Sequence, residues 1–105
     1  MLIRRDAIVA ALEAGLAVRF LALGESMLPT IEGGSSVFVV PCKAPVDVGA
    51  IVLARTSHAG LVLHRVVECS GVGPEWKGLL KGDALKTPDG WVTRQEVLGV
   101  LVERG

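Results

Sequence analysis

Aromatic side chains are scarce in this chain of 105 residues, which has two Trp, two Phe and no Tyr. Half of the residues are nonetheless hydrophobic, so the core must be built from aliphatic side chains. Cysteine is equally rare, and Cys42 and Cys69 are too few for a disulfide-stapled scaffold. We expect both thiols to stay reduced, because no export signal precedes them.

An excess of charge of either sign is also missing, since eleven Lys and Arg balance eleven Asp and Glu. The chain therefore lacks the basic character of nucleic-acid-binding proteins and the polybasic blocks that bind membrane surfaces. Long apolar runs are absent too. Asp6, Glu13 and Arg19 interrupt the first apolar stretch, which falls far short of the ~20 residues that a membrane span needs. We expect a cytoplasmic protein with no signal peptide and no transmembrane helix.

What is present predicts a single domain, residues 1–105, in which a short helix precedes a β domain. The helix is expected over residues 4–14, within the segment 1–15, because apolar residues recur there at helical spacing and Gly15 follows them. Residues 16–103 alternate short apolar runs with Gly- and Pro-rich turns, which is typical of antiparallel strands. The predicted strands are 16–23, 37–40, 51–55, 61–68, 76–81 and 97–103. The expected fold class is mainly β: a compact, antiparallel, barrel-like sheet with one short N-terminal helix.

The segment Gly24-Glu25-Ser26-Met27-Leu28-Pro29-Thr30 is the first that suggests chemistry. Its serine follows the end of a predicted strand, between a glycine and a proline. Such a turn can hold a hydroxyl exposed and rigid, with a backbone N–H directed at a developing oxyanion. The alternative is that Ser26 merely caps a turn over Pro29, which is the commoner role of a lone loop serine.

A serine nucleophile needs a base, and the chain offers two histidines. His58 lies in a predicted turn, where we expect a solvated surface position. His64 lies within a strand among apolar neighbours, where a polar ring needs a partner. It is either a satisfied core histidine or a general base. The histidines and cysteines do not fall at zinc-site spacings, so we expect no metal.

The base in turn needs an acid that holds its imidazole and stabilises the cation. Asp83 and Asp89 both lie in the turn-rich segment 82–90. Each is either that acid or an Asx-type turn residue.

In this order, these segments resemble the superfamily of type I signal peptidases and LexA-type peptidases. The matching segments are Ser26-Met27-Leu28-Pro29-Thr30, Gly49-Ala50-Ile51-Val52, Leu63-His64-Arg65-Val66-Val67, Lys81-Gly82-Asp83 and Val97-Leu98-Gly99-Val100-Leu101. The resemblance covers residues 16 to 103. The chain has a histidine at position 64, where bacterial members have a lysine, and in this it resembles the archaeal and endoplasmic-reticulum signal peptidases. It also resembles them in having an aspartate at position 83 and another at position 89.

The resemblance implies a serine endopeptidase that needs no cofactor. Ser26 is then the nucleophile and His64 the base. Asp89 is the expected orienting acid, and Asp83 a second functional or structural acid. Met27 and Pro29 are expected to contact the substrate, and a small residue such as alanine is expected before the scissile bond. The expected partner is a peptide or protein, such as a leader or signal-like segment, and not nucleic acid; a homodimer stays open.

Departures from the family pattern leave a second function open. Gly34-Ser35 and Gly49-Ala50 stand where members often have Gly-Asp, and Ala84-Leu85 follow Asp83 where asparagines are usual. The membrane anchor of the signal peptidases has no counterpart in the sequence. The alternative is therefore a relative of the same fold that binds a peptide or protein without cutting it.

A self-cleaving regulator of the LexA kind is not expected. Such a protein needs a DNA-binding domain, for which residues 1–15 are too short. Ala14-Gly15 resembles the dipeptide that such proteins cut, but it lies too close to Ser26 in the chain to reach it easily.

Overall fold

A computed structural model describes residues 5–42, 45–57 and 59–104. Within these ranges the chain forms one helix, α1 (Arg5–Glu13), and seven strands. The strands are β1 (Val18–Leu21), β2 (Ser36–Pro41), β3 (Ile51–Thr56), β4 (Gly60–Ser70), β5 (Lys77–Lys81), β6 (Gly90–Thr93) and β7 (Val97–Arg104). All neighbouring strands are antiparallel, in one sheet that curls into a half-barrel. The predicted mainly β class with a short N-terminal helix is confirmed.

The order of strands in the sheet is β1-β2-β7-β3-β4-β5-β6. The last strand of the chain thus lies between β2 and β3, and it joins the first hairpin to the rest of the sheet. β1 and β6 are the two edges. Because the carboxyl end of β1 leads into the segment that contains Ser26, the serine lies at one edge of the sheet.

The core is aliphatic, as the composition requires. Its fully buried side chains are Val37, Val39, Val52, Ala54, Val66, Leu80 and Val97, with Val92 almost fully covered. One aromatic joins them: the Trp76 ring packs over Gly78, where an added Cβ would lie only 2.5 Å from the ring. The helix buries Ile8 and Leu12 against Val39, Leu53 and Leu98 of the sheet. Burial of such side chains stabilises by about 1.5–3 kcal/mol each.

Strand β6 is the element that the sequence patterns did not predict. It has only four residues and directly follows the turn-rich segment 82–90, which hides its signal. That signal is an alternation in which Val92 is buried between exposed Trp91 and Thr93. A 3₁₀ turn follows, and Glu96 and Thr93 cap it reciprocally, in the spacing of a capping box. The other predicted strands are present, with ends shifted by up to two residues.

Three further expectations concern the cysteines, His58 and membrane-spanning helices. Cys42 and Cys69 form no disulfide. His58 lies outside the described residues. No helix within the described ranges is long and apolar enough to cross a bilayer.

Candidate active site

The segment between β1 and β2 holds Ser26 in a turn that is closed at its base. Ala22 donates its backbone N–H to the carbonyl of Ser35, and Gly34 donates to the carbonyl of Ala22. Gly24 has a φ of 81°, a conformation that glycine adopts readily. The turn is closed further along, where the Ile31 N–H donates to the Met27 carbonyl at 2.9 Å. These bonds fix the backbone on both sides of the serine.

His64 lies in β4 with its imidazole turned toward Ser26. The distance from Ser26 Oγ to His64 Nε2 is 2.9 Å. The residue is only 5% exposed and is the one buried polar residue among the described residues. A buried polar ring must be hydrogen-bonded, and here both ring nitrogens are.

Asp89 accepts the second imidazole bond, with Oδ2 2.5 Å from His64 Nδ1. Its carboxylate is 9% exposed, and its backbone N–H donates to the carbonyl of Leu80. The pairing of Leu80 with Gly90 in the β5–β6 hairpin thus places the aspartate. Because the carboxylate only accepts, the neutral imidazole carries its proton on Nδ1, and Nε2 is left to accept from the Ser26 hydroxyl.

Ser26, His64 and Asp89 therefore form a continuous hydrogen-bonded chain of hydroxyl, imidazole and carboxylate. This is the arrangement by which a base takes the proton of a serine while an acid holds the imidazole. Among the described residues, no acceptor takes the backbone N–H of Ser26, so this donor is available to a developing oxyanion.

The loop after β5 packs directly on Ser26. Ala84 donates its backbone N–H to the carbonyl of Ser26 at 2.9 Å. Gly82 is buried, and a Cβ at this position would lie 2.6 Å from the Ser26 carbonyl oxygen and 3.1 Å from His64 Nε2. Only a residue without a side chain fits there without displacing the serine or the imidazole.

Asp83 does not reach the imidazole; it forms a second network beside it. Arg65 donates from Nε to Oδ1 and from Nη2 to Oδ2, both at 2.8 Å. Thr30 Oγ1 donates to the same Oδ2 at 2.6 Å. Arg65 also donates from Nη1 to the carbonyl of Gly49. The network ties the turn that holds Ser26 (the Ser26 turn), β4 and the β5–β6 loop together.

The charge of this network is partly shielded from solvent, with Arg65 and Asp83 side chains 31% and 16% exposed. The hydrogen bonds from Arg65 hold the pKa of the Asp83 carboxyl below its usual range. Burial opposes that effect, while the bond from Thr30 and the charges of Arg65 and Lys81 support it. The same carboxylate raises the pKa of the Arg65 guanidinium. Asp83 is therefore an ionised structural partner at neutral pH.

An apolar cleft of about 170 Å³ opens from the serine and histidine. One wall is formed by residues 20–24, at and beyond the end of β1, and the other by residues 61–64 of β4. Met27 and Ile31 close its floor as buried side chains. Met27 therefore lies where the sequence analysis expects a substrate contact, whereas Pro29 is exposed and does not line the cleft.

Both walls of the cleft carry free backbone edges. β1 pairs only with β2. Residues 61–64 pair only with β3, because β5 joins β4 from Arg65 onward. Unpaired strand edges are sites where an extended peptide can add as a further strand.

Sequence reasoning missed the positioning residues of the site. Thr30, Arg65 and Gly82 each stand inside segments that carry the family resemblance, but the sequence predicted no role for them in the site. A signal existed for Arg65, which is the only charged residue within the apolar run 61–67. A charge in such a run needs a partner, here Asp83.

No protein-family model matches the sequence, and no curated protein matches it at a significant level.

Proposed function

We propose that this protein is a serine endopeptidase that cuts an extended peptide segment by a Ser26–His64–Asp89 mechanism. The observation that carries the proposal is the hydrogen-bonded chain from Ser26 Oγ through both nitrogens of His64 to Asp89 Oδ2. The likeness of the ordered sequence segments to the Ser-His signal peptidases agrees with it.

In the acylation step, Ser26 Oγ attacks the scissile carbonyl carbon while its proton passes to His64 Nε2. The imidazolium that forms is stabilised by the Asp89 carboxylate. The oxyanion accepts a hydrogen bond from the backbone N–H of Ser26. When the C–N bond breaks, His64 returns its proton to the leaving amine and the upstream half of the substrate stays esterified to Ser26.

In the deacylation step, His64 takes a proton from water as the water attacks the ester carbonyl. The ester bond then breaks, the proton passes to Ser26 Oγ, and the upstream half leaves with a free carboxylate. Because this half must be held until hydrolysis, we assign the apolar cleft beside Ser26 to it.

The substrate strand is proposed to lie between the two free edges at residues 20–24 and 61–64. Backbone hydrogen bonds to either wall would supply affinity without regard to sequence. Met27 and Ile31 limit the space next to the serine, which favours a small side chain such as alanine before the scissile bond. We further propose that the natural substrate is a leader or signal-like segment in the cytoplasm, and this part of the proposal is based on the sequence alone.

The test is labelling by an acylating serine probe, an alkynyl β-lactone, read by intact mass between about pH 5 and 9. We expect one label on the wild type, none on Ser26→Ala and slow labelling of His64→Ala. Ser70→Ala, an exposed serine at the end of β4, is the matched control and should label like the wild type.

Two results would contradict an activated serine. One is labelling that survives in Ser26→Ala, and the other is a folded wild type that takes up no label at any pH. The second result would favour the alternative function, a domain that binds peptides in the same cleft without cutting them.

A further inference from the structure

Building on the proposed function, we propose that Arg5 selects an acidic side chain in the substrate, about four positions upstream of the scissile bond. Arg5 lines both the cleft beside Ser26 and a second groove that adjoins it. The site would thus prefer an extended segment with a small residue at the cut and a carboxylate near its far end.

The cleft does not end at the two strand edges. Arg5 and Leu61 line it, and they also line a second groove of about 470 Å³ between α1 and the β3–β4 hairpin. An extended peptide leaving the active site along β4 therefore passes Leu61 and Arg5 and continues over Val9 and Ala10 of the helix.

The position of the selected residue follows from strand geometry. Leu61 precedes His64 by three positions, which is about 10 Å at ~3.3 Å per residue. A substrate strand beside β4 covers the same distance in three residues. With the small residue placed beside Ser26 and His64, the fourth residue upstream lies next to Leu61 and within reach of the Arg5 side chain.

The charges around the groove favour a carboxylate at that point. Of the described residues that line the cleft, Arg5 alone carries a fixed charge. It forms no ion pair with any described residue, whereas Arg55 at the groove is paired with Glu13 at 3.5 Å. Asp6 lines the groove but not the cleft, and as the next helical position it does not face Arg5. An incoming carboxylate therefore meets an available cation beside apolar walls.

The test measures binding of fluorescein-labelled peptides to the Ser26→Ala variant by anisotropy, so that it does not depend on cleavage. The peptides, of about nine residues, carry alanine at the cut and Glu, Gln or Lys at the fourth upstream position. We expect Glu to bind roughly two- to five-fold more tightly than Gln, and Lys more weakly than either. The preference should vanish with Arg5→Gln and fall in high salt. Lys77→Gln, an exposed cation on β5, is the control and should keep it.

Equal binding of the Glu and Gln peptides, or a preference that survives Arg5→Gln, would overturn the assignment of Arg5. A preference that appears only when Glu is moved downstream of the cut would overturn the proposed substrate direction. Failure of the proposed function is detected separately, by whether the wild type cuts the Glu peptide. A wild type that binds this peptide selectively but never cuts it is a binding domain with the same selectivity.

Discussion

At the scale of single residues, replacing Asp89 tests whether orientation of the His64 imidazole matters for the reactivity of Ser26, while the serine and the imidazole themselves stay in place. Asparagine at this position is nearly isosteric, but its amide can donate to Nδ1 and so favour the wrong tautomer of His64. We expect Asp89→Asn to lower the rate of Ser26 labelling by about 10²- to 10⁴-fold. Thermal unfolding followed by circular dichroism should show that the variant stays folded.

Asp83→Asn is the matched control, because it makes the same chemical change in the same loop. Its carboxylate contacts Arg65 and Thr30 instead of the imidazole. We expect this variant to lose stability while labelling more readily than Asp89→Asn. Equal losses of labelling rate in the two variants, at equal stability, would show that the imidazole contact has no special role.

The sequence alone could not decide which of these two aspartates contacts His64. The sequence predicted that a serine turn, a strand histidine and an acidic turn would come together, and the geometry brings them within hydrogen-bond distance. Both aspartates lie in one turn-rich segment, and the resemblance favoured Asp89 without physical proof. What separates them in space is the pairing of β5 with β6, and the prediction contained no β6.

At the scale of elements, the β5–β6 loop packs against the Ser26 turn, and Gly82 stands where a side chain would collide with that turn. A methyl at this position meets the Ser26 carbonyl at 2.6 Å, so backbone must shift. We expect Gly82→Ala to slow labelling of Ser26 by 10-fold or more, since displacements of about 1 Å cost up to 10²-fold. Overpacking should also lower the free energy of unfolding by about 1–3 kcal/mol, measured by urea titration.

Gly15→Ala provides the control for backbone strain alone. Gly15 has a φ of 87° at the end of the helix, and an added Cβ would meet nothing within 4 Å. Its replacement should cost about 1–2 kcal/mol of stability, because a residue with a Cβ is strained in this left-handed conformation, and it should leave the labelling rate unchanged. A Gly82→Ala variant that behaves in the same way would contradict the packing argument.

The strands illustrate which elements a pattern can predict. β3 and β4 could be predicted because their apolar runs are long enough to identify a strand from the sequence pattern alone. β6 stays hidden because four residues provide only two alternations, and it is fixed by pairing with β5 at a distance. The free edge at residues 61–64 is likewise a property of register, which is set by tertiary pairing.

At the scale of the whole molecule, the site exists because the curled sheet brings together residues far apart in the chain. Ser26 and His64 are 38 positions apart, and Thr30 and Asp83 are 53 apart. Local turns hold each group, but only the folded sheet holds all of them. The stability of the fold and the geometry of the site should therefore respond together to any change that weakens the Arg65–Asp83 network.

This coupling predicts how stability depends on pH. The pKa of Asp83 is lowered in the folded state, chiefly by the hydrogen bonds from Arg65. Its ionised form therefore stabilises the fold above the ordinary carboxyl pKa of about 4. That stabilisation is lost as the pH falls through the lower, folded-state pKa. In Asp83→Asn this pH-dependent contribution is absent, so the wild type should be more stable by about 2 kcal/mol near neutrality and the difference should shrink below about pH 4.

Urea unfolding between about pH 2.5 and 7, followed by tryptophan fluorescence with Trp76 as a buried reporter, measures that difference directly. Glu68→Gln, which removes an exposed carboxylate from the same strand as Arg65, should change stability little at any pH. If the difference in free energy of unfolding between the wild type and Asp83→Asn stayed constant down to the lowest pH, the charge of Asp83 would not hold the Ser26 turn to β4. A gap that closes in acid, with Ser26 labelling of Asp83→Asn reduced at neutral pH, would tie the stability of the sheet to the geometry of the proposed catalytic serine.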